Sequence, residues 1–211
     1  MSRIRHHHAH HLGSYFSRCW SRPQQVAAEE QVASQVGIHR RLANLRESSS
    51  AVFPSEALLE LEESLPSLFS QDYPQVLTHG DLSRTNILVD QHTYEITGIV
   101  DWSLATVLPF GMELDSLYLF TGCMSRSGWH DYACYVELRK GFWEEFWATS
   151  GIEDDSGYRE KIRSMAESAA KIGAILRYAF QRNADGSASE VVLAPNKVPE
   201  YLRTWFSNSS T

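Results

Sequence analysis

The chain has few cysteines, no long apolar run and no excess of basic residues. Its three cysteines, Cys19, Cys123 and Cys134, are irregularly spaced and form no C-x-x-C pair. This favours free thiols in a reducing compartment over a disulfide framework. No apolar run is long enough to cross a bilayer, and the N-terminus lacks the apolar segment of a secretory signal. We therefore expect a cytoplasmic protein that does not act at a membrane.

The charge balance is acidic, with a formal net charge of −7. Domains that bind nucleic acid usually carry a basic stripe, so we do not expect a nucleic-acid partner. An acidic balance is compatible with a cationic small substrate, although it is also common in cytosolic proteins. The 211 residues are 43% hydrophobic and 11% aromatic, which predicts one large folded domain, or one domain with an appendage, with a sizeable core. Nothing in the composition indicates an oligomeric state.

Lysine and glycine are scarce in the first part of the chain. Residues 1–78 contain no lysine and only two glycines, Gly13 and Gly37. The four lysines of the chain all come later, at Lys140, Lys161, Lys171 and Lys197. We therefore do not expect this region to supply a glycine-rich phosphate loop or a functional lysine.

Two short β-rich segments predict a hairpin near the middle of the chain. Residues 87–89 and 94–100 are separated by the polar residues 90–93, a connection of hairpin length. An antiparallel hairpin places the start of its first strand beside the end of its second. We therefore expect Asn86 and Asp101 to be neighbours at the open end.

Asp81 precedes this hairpin in the motif His79-Gly80-Asp81, five residues before Asn86. The loop that feeds the hairpin should bring Asp81 to the same end. Carboxylate and amide oxygens suit Mg²⁺, which takes few protein ligands and shares the rest with phosphates and water. Asp and Asn also form turns, and D-x-x-x-x-N occurs by chance. The ordered combination that ends in Asp101-Trp102 is more specific and favours a functional site.

A histidine-rich segment opens the chain. Residues 1–11 contain His6, His7, His8, His10 and His11. Clustered histidines can bind metal ions, but this group is terminal, irregular and without carboxylate or cysteine partners. We predict a disordered or tag-like segment for residues 1–11, with metal binding as the alternative.

Periodic apolar residues predict helices over most of the remaining chain. The predicted helices cover residues 24–46, 55–65, 113–120, 129–147, 158–182 and about 199–206. The second is expected to start at a Ser55 cap and to end at Pro66. Glu113 and Asp115 either bind a cation or act as dipole-favoured caps, and we prefer the caps. With the hairpin, this pattern predicts an α+β, mostly helical fold.

In these motifs the chain resembles the aminoglycoside phosphotransferase and choline kinase-like family, which has a protein kinase-like fold. The matching residues are His79-Gly80-Asp81, Asn86 and Ile99-Val100-Asp101-Trp102, and residues 13–20, 108–111 and 176–178 resemble fungal members. The resemblance covers about residues 12–207 and corresponds to the family's C-terminal lobe. It implies a kinase-like C-terminal lobe that carries a small catalytic β-hairpin.

The resemblance also implies a chemistry, the transfer of a phosphoryl group from ATP to a small-molecule hydroxyl. Asp81 would orient or deprotonate the acceptor hydroxyl, and Asn86 and Asp101 would hold Mg²⁺ against the nucleotide phosphates. His79 and Gly80 would order the loop. The identity of the acceptor is not implied.

One departure from the family pattern concerns the N-terminal lobe. That lobe supplies a phosphate-covering loop and a strand lysine, and no nucleotide lysine is found in residues 1–78. Arg40 or Arg41 could supply a charge there, but arginine and lysine are not equivalent. We expect most of the N-terminal lobe to be missing. An active phosphotransferase, a non-catalytic pseudokinase-like binding module and a truncated gene product all remain open.

Overall fold

The computed structural model describes residues 2–48, 52–126, 128–184, 186 and 188–207. These residues form helices α1 Ser2–Trp20, α2 Ala28–Glu47, α3 Ser55–Leu68, α4 Asp115–Thr121, α5 Tyr135–Ser150, α6 Ser156–Tyr178 and α7 Glu200–Ser207. The strands are β1 Gln75–Thr78, β2 Ile87–Val89, β3 Ile96–Ile99, β4 Thr106–Pro109, β5 Gly122–Ser125, β6 Gly128–Asp131, β7 Phe180–Arg182 and β8 Ala188–Val192.

The predicted fold class, α+β and mostly helical, is confirmed. More than half of the described residues lie in helices. The strands pair within the described residues as two-stranded antiparallel sheets, in the orders β1–β4, β2–β3, β5–β6 and β7–β8. No helix among the described residues is long and apolar enough to cross a membrane.

The first helix differs from the prediction of disorder for residues 1–11. Met1 lies outside the described residues, and α1 continues without a break from Ser2 to Trp20. Ala9, Leu12 and Phe16 are buried on one face of this helix, and the Phe16 ring packs edge-on against Phe142 of α5. Tertiary packing therefore orders a segment whose composition suggested a free end.

Several other predicted boundaries were wrong. The helix predicted from residue 24 begins at Ala28, and Ser55 is the first residue of α3 but provides no side-chain cap. Pro66 does not end α3, which continues to Leu68 because Leu65 and Leu68 are both buried. The segment 128–131 is strand β6, paired with β5, and the helix predicted over 129–147 begins only at Tyr135. The long helix predicted to Arg182 ends at Tyr178, and the next residues form β7.

The predicted hairpin over residues 87–100 is confirmed, with its second strand beginning at Ile96 rather than at residue 94. Strands β2 and β3 pair antiparallel with Ile87 opposite Ile99 and a bulge between Leu88 and Val89. The turn is closed by Asp90, whose amide donates to the Glu95 carbonyl at 2.9 Å. Its carboxylate accepts the backbone N–H groups of His92 and Thr93 at 2.8 Å each.

The segment that follows β4 packs closely against helix α6. Because Thr78 pairs with Thr106, the residues after β1 lie beside the residues before β4. Phe110 and Met112 follow β4 and are fully buried. Helix α6 passes so close to this segment that a Cβ on Gly173 would overlap the Met112 carbonyl. Only glycine fits at this crossing, which fixes residues 110–113 against α6.

Candidate active site

Asn86 and Asp101 lie side by side at the open end of the hairpin. Asn86 closes a short 3₁₀ turn and directly precedes β2. Its backbone carbonyl accepts the Val100 N–H at 2.9 Å, and Asp101 is the next residue. The backbone pairing of the two strands therefore extends to Asn86 and Val100, and it brings Asp101 next to Asn86.

The His79 side chain links the loop of Asp81 to this end of the hairpin. His79 is fully buried, and its Nε2 lies 2.7 Å from the Val100 carbonyl oxygen. Its Nδ1 accepts the backbone N–H of Asp81 at 3.2 Å. These two contacts require the proton on Nε2 and a lone pair on Nδ1. His79 is therefore a neutral ring that donates to the hairpin through Nε2 and accepts from the Asp81 loop through Nδ1.

Asn86 reaches back to the same loop. Its Nδ2 donates to the Asp81 backbone carbonyl at 2.9 Å and approaches Asp81 Oδ2 at 3.4 Å. The amide nitrogen therefore faces Asp81, and the amide oxygen accepts no hydrogen bond from the described residues. Asp81 is half-buried, so its carboxylate is held near Asn86 while part of it stays accessible.

Asp101 has a backbone conformation that is rare outside glycine. Its φ is +62° and its ψ is +61°, in the left-handed region. Such conformations cost free energy for a side-chain-bearing residue and cluster at functional sites. One carboxylate oxygen accepts the Ser103 hydroxyl at 2.7 Å, and the side chain is exposed. The neighbouring Trp102 ring packs on the His79 ring, 4.8 Å between centroids.

The backbone conformation and close packing at position 80 require glycine. Its φ is +82°, and a Cβ there would overlap the Leu104 carbonyl. This close approach lets the loop run tightly beneath the segment that follows Asp101. Any other residue would push the two segments apart.

Glu113 holds the Asp81 loop through hydrogen bonds to its backbone, a role that could not be read from the sequence. It is buried, and its two carboxylate oxygens accept the backbone N–H groups of His79 at 2.8 Å and Gly80 at 2.6 Å. It acts neither as the helix cap we preferred nor as the cation ligand we considered. The signal in the sequence was an acidic residue within the apolar run that begins at Phe110, where a buried carboxylate must find donors.

Asp115 forms a buried ion pair with Arg177 of α6. Arg177 also donates to the Met112 carbonyl at 3.0 Å. Burial raises the pKa of Asp115 to about 6, against the opposing effect of the Arg177 charge. The pair fastens the segment that carries Glu113 to α6, and it too was not predicted.

The oxygen atoms at the open end suit a magnesium ion. Asn86 provides an amide oxygen, and Asp101 provides a carboxylate of which Ser103 engages one oxygen. Among the residues that the structure describes, no group of three or more His, Cys, Asp or Glu residues is arranged to hold a metal. A set of one amide and one carboxylate matches Mg²⁺, which takes its remaining ligands from phosphates and water.

The histidines of α1 lend no support to the alternative of a histidine-bound metal. His10 lies 3.4 Å from the Glu145 carboxylate of α5, and the rings of His7 and His11 are 6.3 Å apart. Partial burial lowers the pKa of His8. These histidines sit on a helix packed against α5, and none of them belongs to a three-ligand group within the described ranges.

Comparison with known proteins bears on the family alone. A search of curated proteins found no match. A model of the phosphotransferase enzyme family matches residues 5–144, more than half of the chain. This range contains the loop of Asp81, the whole β2–β3 hairpin, and both Glu113 and Asp115. The chain belongs to the phosphotransferase enzyme family.

Proposed function

We propose that this protein resembles aminoglycoside phosphotransferases in its chemistry and transfers a phosphoryl group from ATP, with Mg²⁺, to the hydroxyl of a small molecule. The observation that carries the proposal is the convergence of Asp81, Asn86 and Asp101 at one end of the hairpin. Phosphoryl transfer needs positioning and charge neutralisation more than covalent help. Three oxygen-bearing side chains at one end of the hairpin would supply the metal and acceptor contacts of such a site.

Each residue has a role in this proposal, which the family resemblance implies. Asp81 would accept a hydrogen bond from the acceptor hydroxyl and orient it or take its proton. Asn86 and Asp101 would hold Mg²⁺, which when bound would neutralise phosphate charge. His79, Gly80 and Glu113 would keep the Asp81 loop in place through the hydrogen bonds described above.

We further propose that residues 12–207 form a kinase-like C-terminal lobe of the fungal type. Upstream of β1, the described residues form three helices and no strand, and residues 1–78 contain no lysine. The loop and lysine that grip nucleotide phosphates in kinase-like enzymes are therefore not among these residues. The proposed site provides the metal-binding and acceptor side of the reaction.

Turnover of Mg·ATP tests the proposal. The purified chain is incubated with a panel of hydroxylated small molecules, and formation of ADP and phosphorylated product is measured for the wild type and Asp81→Asn. General acid–base and orienting groups contribute about 10²- to 10⁴-fold, so turnover should fall by that factor. Asp90→Asn, at the opposite end of the same hairpin, is the matched control and should retain wild-type turnover. No Asp81-dependent turnover with any acceptor would refute the proposal for this chain.

A second candidate, a non-catalytic pseudokinase-like binding module, is favoured by the absence of lysine from residues 1–78. Calorimetry with Mg·ATP partly distinguishes the active phosphotransferase from the non-catalytic module. Tight nucleotide binding argues against a dead nucleotide site. Binding that depends on Asp101 without any turnover would favour the module.

A further inference from the structure

Arg84 lies between Asp81 and Asn86, and the proposed function gives it no part. It begins the short 3₁₀ turn that ends at Asn86. On either side of it, the hydroxyl groups of Ser83 and Thr85 lie 2.8 Å apart and bond to each other. Of these three consecutive side chains, Arg84 alone makes hydrogen bonds to a distant segment within the described residues.

The Arg84 guanidinium is bound at the C-terminal end of α4. Its Nη2 donates to the Leu119 carbonyl at 2.7 Å and to the Gly122 carbonyl at 3.0 Å. The same nitrogen lies 3.3 Å from the Tyr132 hydroxyl oxygen. The last carbonyls of a helix have no intrahelical donor, and the helix dipole is negative at this end. A guanidinium therefore suits the position in both hydrogen bonding and charge.

The segment that carries α4 also holds the start of the Asp81 loop. The Glu113 carboxylate, just before α4, accepts the backbone N–H groups of His79 and Gly80. The loop is therefore fastened to this segment twice, at its start through Glu113 and near its end through Arg84. Two attachments to one short segment define the spacing between the first and last parts of the loop.

The turn that Arg84 anchors determines where Asn86 lies. The Asn86 N–H donates to the Ser83 carbonyl at 3.1 Å, and the Asn86 carbonyl accepts the Val100 N–H at 2.9 Å. The side-chain Nδ2 of Asn86 donates to the Asp81 carbonyl at 2.9 Å. A shift of the turn would therefore move the Asn86 side chain relative to both Asp81 and the end of the hairpin.

We propose that Arg84 is a positioning residue for Asn86: it ties the turn before Asn86 to α4 and so holds the Asn86 amide oxygen where it can bind Mg²⁺. This inference rests on the proposed function, which assigns Asn86 to the metal. Arg84 acts only through Asn86 and touches neither the metal nor the substrates. Partners that orient a metal ligand typically contribute about 10- to 100-fold to metal affinity.

Mn²⁺ binding tests the effect of Arg84 on the metal site. Mn²⁺ prefers the same oxygen ligands as Mg²⁺, and electron paramagnetic resonance measures its free concentration with and without ATP. Arg84→Met keeps an unbranched side chain and removes every donor, so Mn²⁺ affinity in the presence of ATP should fall about 10- to 100-fold. Arg84→Lys keeps the charge and a donor but loses the planar fork, so it should weaken the affinity less.

Arg159→Met is the matched control. Arg159 also donates to two backbone carbonyls, those of Ile152 at 3.2 Å and Glu153 at 3.1 Å, and it pairs with Asp154. It lies in the first turn of α6, at the opposite end of that helix from Arg177. Its loss should lower the melting temperature, as the loss of Arg84 does, but should leave Mn²⁺ affinity unchanged. Thermal unfolding confirms that each variant is folded.

Amide hydrogen exchange tests the positioning without any metal. Arg84→Met should speed the exchange of the Asn86 and Val100 amides about tenfold, because the turn to which they bond loses its charged hydrogen bonds. The Asp90 amide, in the turn of the same hairpin, should keep its rate. Arg159→Met should change none of these rates.

Unchanged exchange of the Asn86 and Val100 amides in Arg84→Met would overturn the inference. Mn²⁺ affinity that Arg84→Met leaves unchanged, or that Arg84→Met and Arg159→Met lower equally, would do so as well. A wild-type chain whose Mn²⁺ binding is insensitive to Asp101→Asn contradicts the proposed function instead. If Arg84→Met still speeds the exchange of the Asn86 amide in that chain, the positioning of Asn86 by Arg84 stands and the assignment of Asn86 to a metal fails.

Discussion

The two ends of the β2–β3 hairpin both carry an aspartate, and the structure uses them in opposite ways. At the turn, Asp90 accepts two backbone N–H groups from residues two and three positions further on. At the open end, Asp101 has an αL backbone and accepts only a hydroxyl, from Ser103, among the described residues. Asp90 is engaged by its own turn, whereas one carboxylate oxygen of Asp101 accepts no hydrogen bond from the described residues.

The supports of the two ends also differ in range. The turn depends on contacts within residues 90–95. The open end depends on His79, which bonds to Val100, and on Glu113, which lies 34 residues along the chain from His79. A turn that closes itself needs no partner, whereas a site assembled from distant segments needs buried polar groups to hold it. This difference gives three predictions, from the largest expected effect to the smallest.

Removal of the Glu113 carboxylate should damage the open end most. Glu113→Ala leaves the buried N–H groups of His79 and Gly80 without an acceptor, at a cost of about 3 kcal/mol in the free energy of unfolding. Glu113→Gln keeps one acceptor oxygen and should cost less. Glu95→Ala, at the turn end, removes an exposed side chain and should change stability by less than about 0.5 kcal/mol. Urea unfolding measures all three. An equal loss for Glu113→Ala and Glu95→Ala would contradict this account of the open end.

Substitution of the loop glycine should have the next largest effect. Gly80→Ala places a Cβ at φ +82° against the Leu104 carbonyl, and we expect a loss of about 1–3 kcal/mol. Gly98→Ala in β3 is the matched control, because its Cβ would lie at an ordinary 3.6 Å from Leu88; we expect a change within about 0.5 kcal/mol. Thermal or urea unfolding of both variants provides the comparison. If Gly80→Ala were as stable as Gly98→Ala, the close approach of Gly80 to the Leu104 carbonyl would be contradicted.

The smallest effect concerns the turn and its pH dependence. Backbone hydrogen bonds from Thr93 and His92 lower the pKa of Asp90 below its ordinary 3.8. A carboxyl with a lowered folded-state pKa stabilises the fold above its unfolded pKa, and this contribution is lost as the pH falls through the folded value. The stability difference between the wild type and Asp90→Asn should therefore shrink as the pH drops below about 4. Urea unfolding at neutral and acidic pH measures it, and a difference that grows in acid would refute the assignment.

The hairpin could be predicted from the sequence because its determinants are local. Two β-rich segments and a polar connection fix the strands, and the pairing then brings Asn86 and Asp101 together. The order of residues also placed Asp81 in the preceding loop. The functional roles of these three residues remain predictions.

The supports of the site could not be predicted in the same way. Glu113 and the Asp115–Arg177 pair act across long stretches of chain, and sequence spacing does not encode which donors they meet. The strand at residues 128–131 was missed because its aromatic residue, Trp129, fitted a helical stripe. The α1 helix over residues 2–11 was missed because burial of Ala9 depends on α5.

Binding of Mg·ATP tests most directly whether the open end of the hairpin is the functional end. Calorimetry compares the wild type with Asp101→Asn and with Asp90→Asn, one variant for each end. The account predicts that Asp101→Asn weakens Mg²⁺-dependent nucleotide binding about tenfold or more, and that Asp90→Asn leaves it unchanged. Equal effects of the two variants would contradict this account. Nucleotide binding that depends on neither Mg²⁺ nor Asp101 would also contradict it.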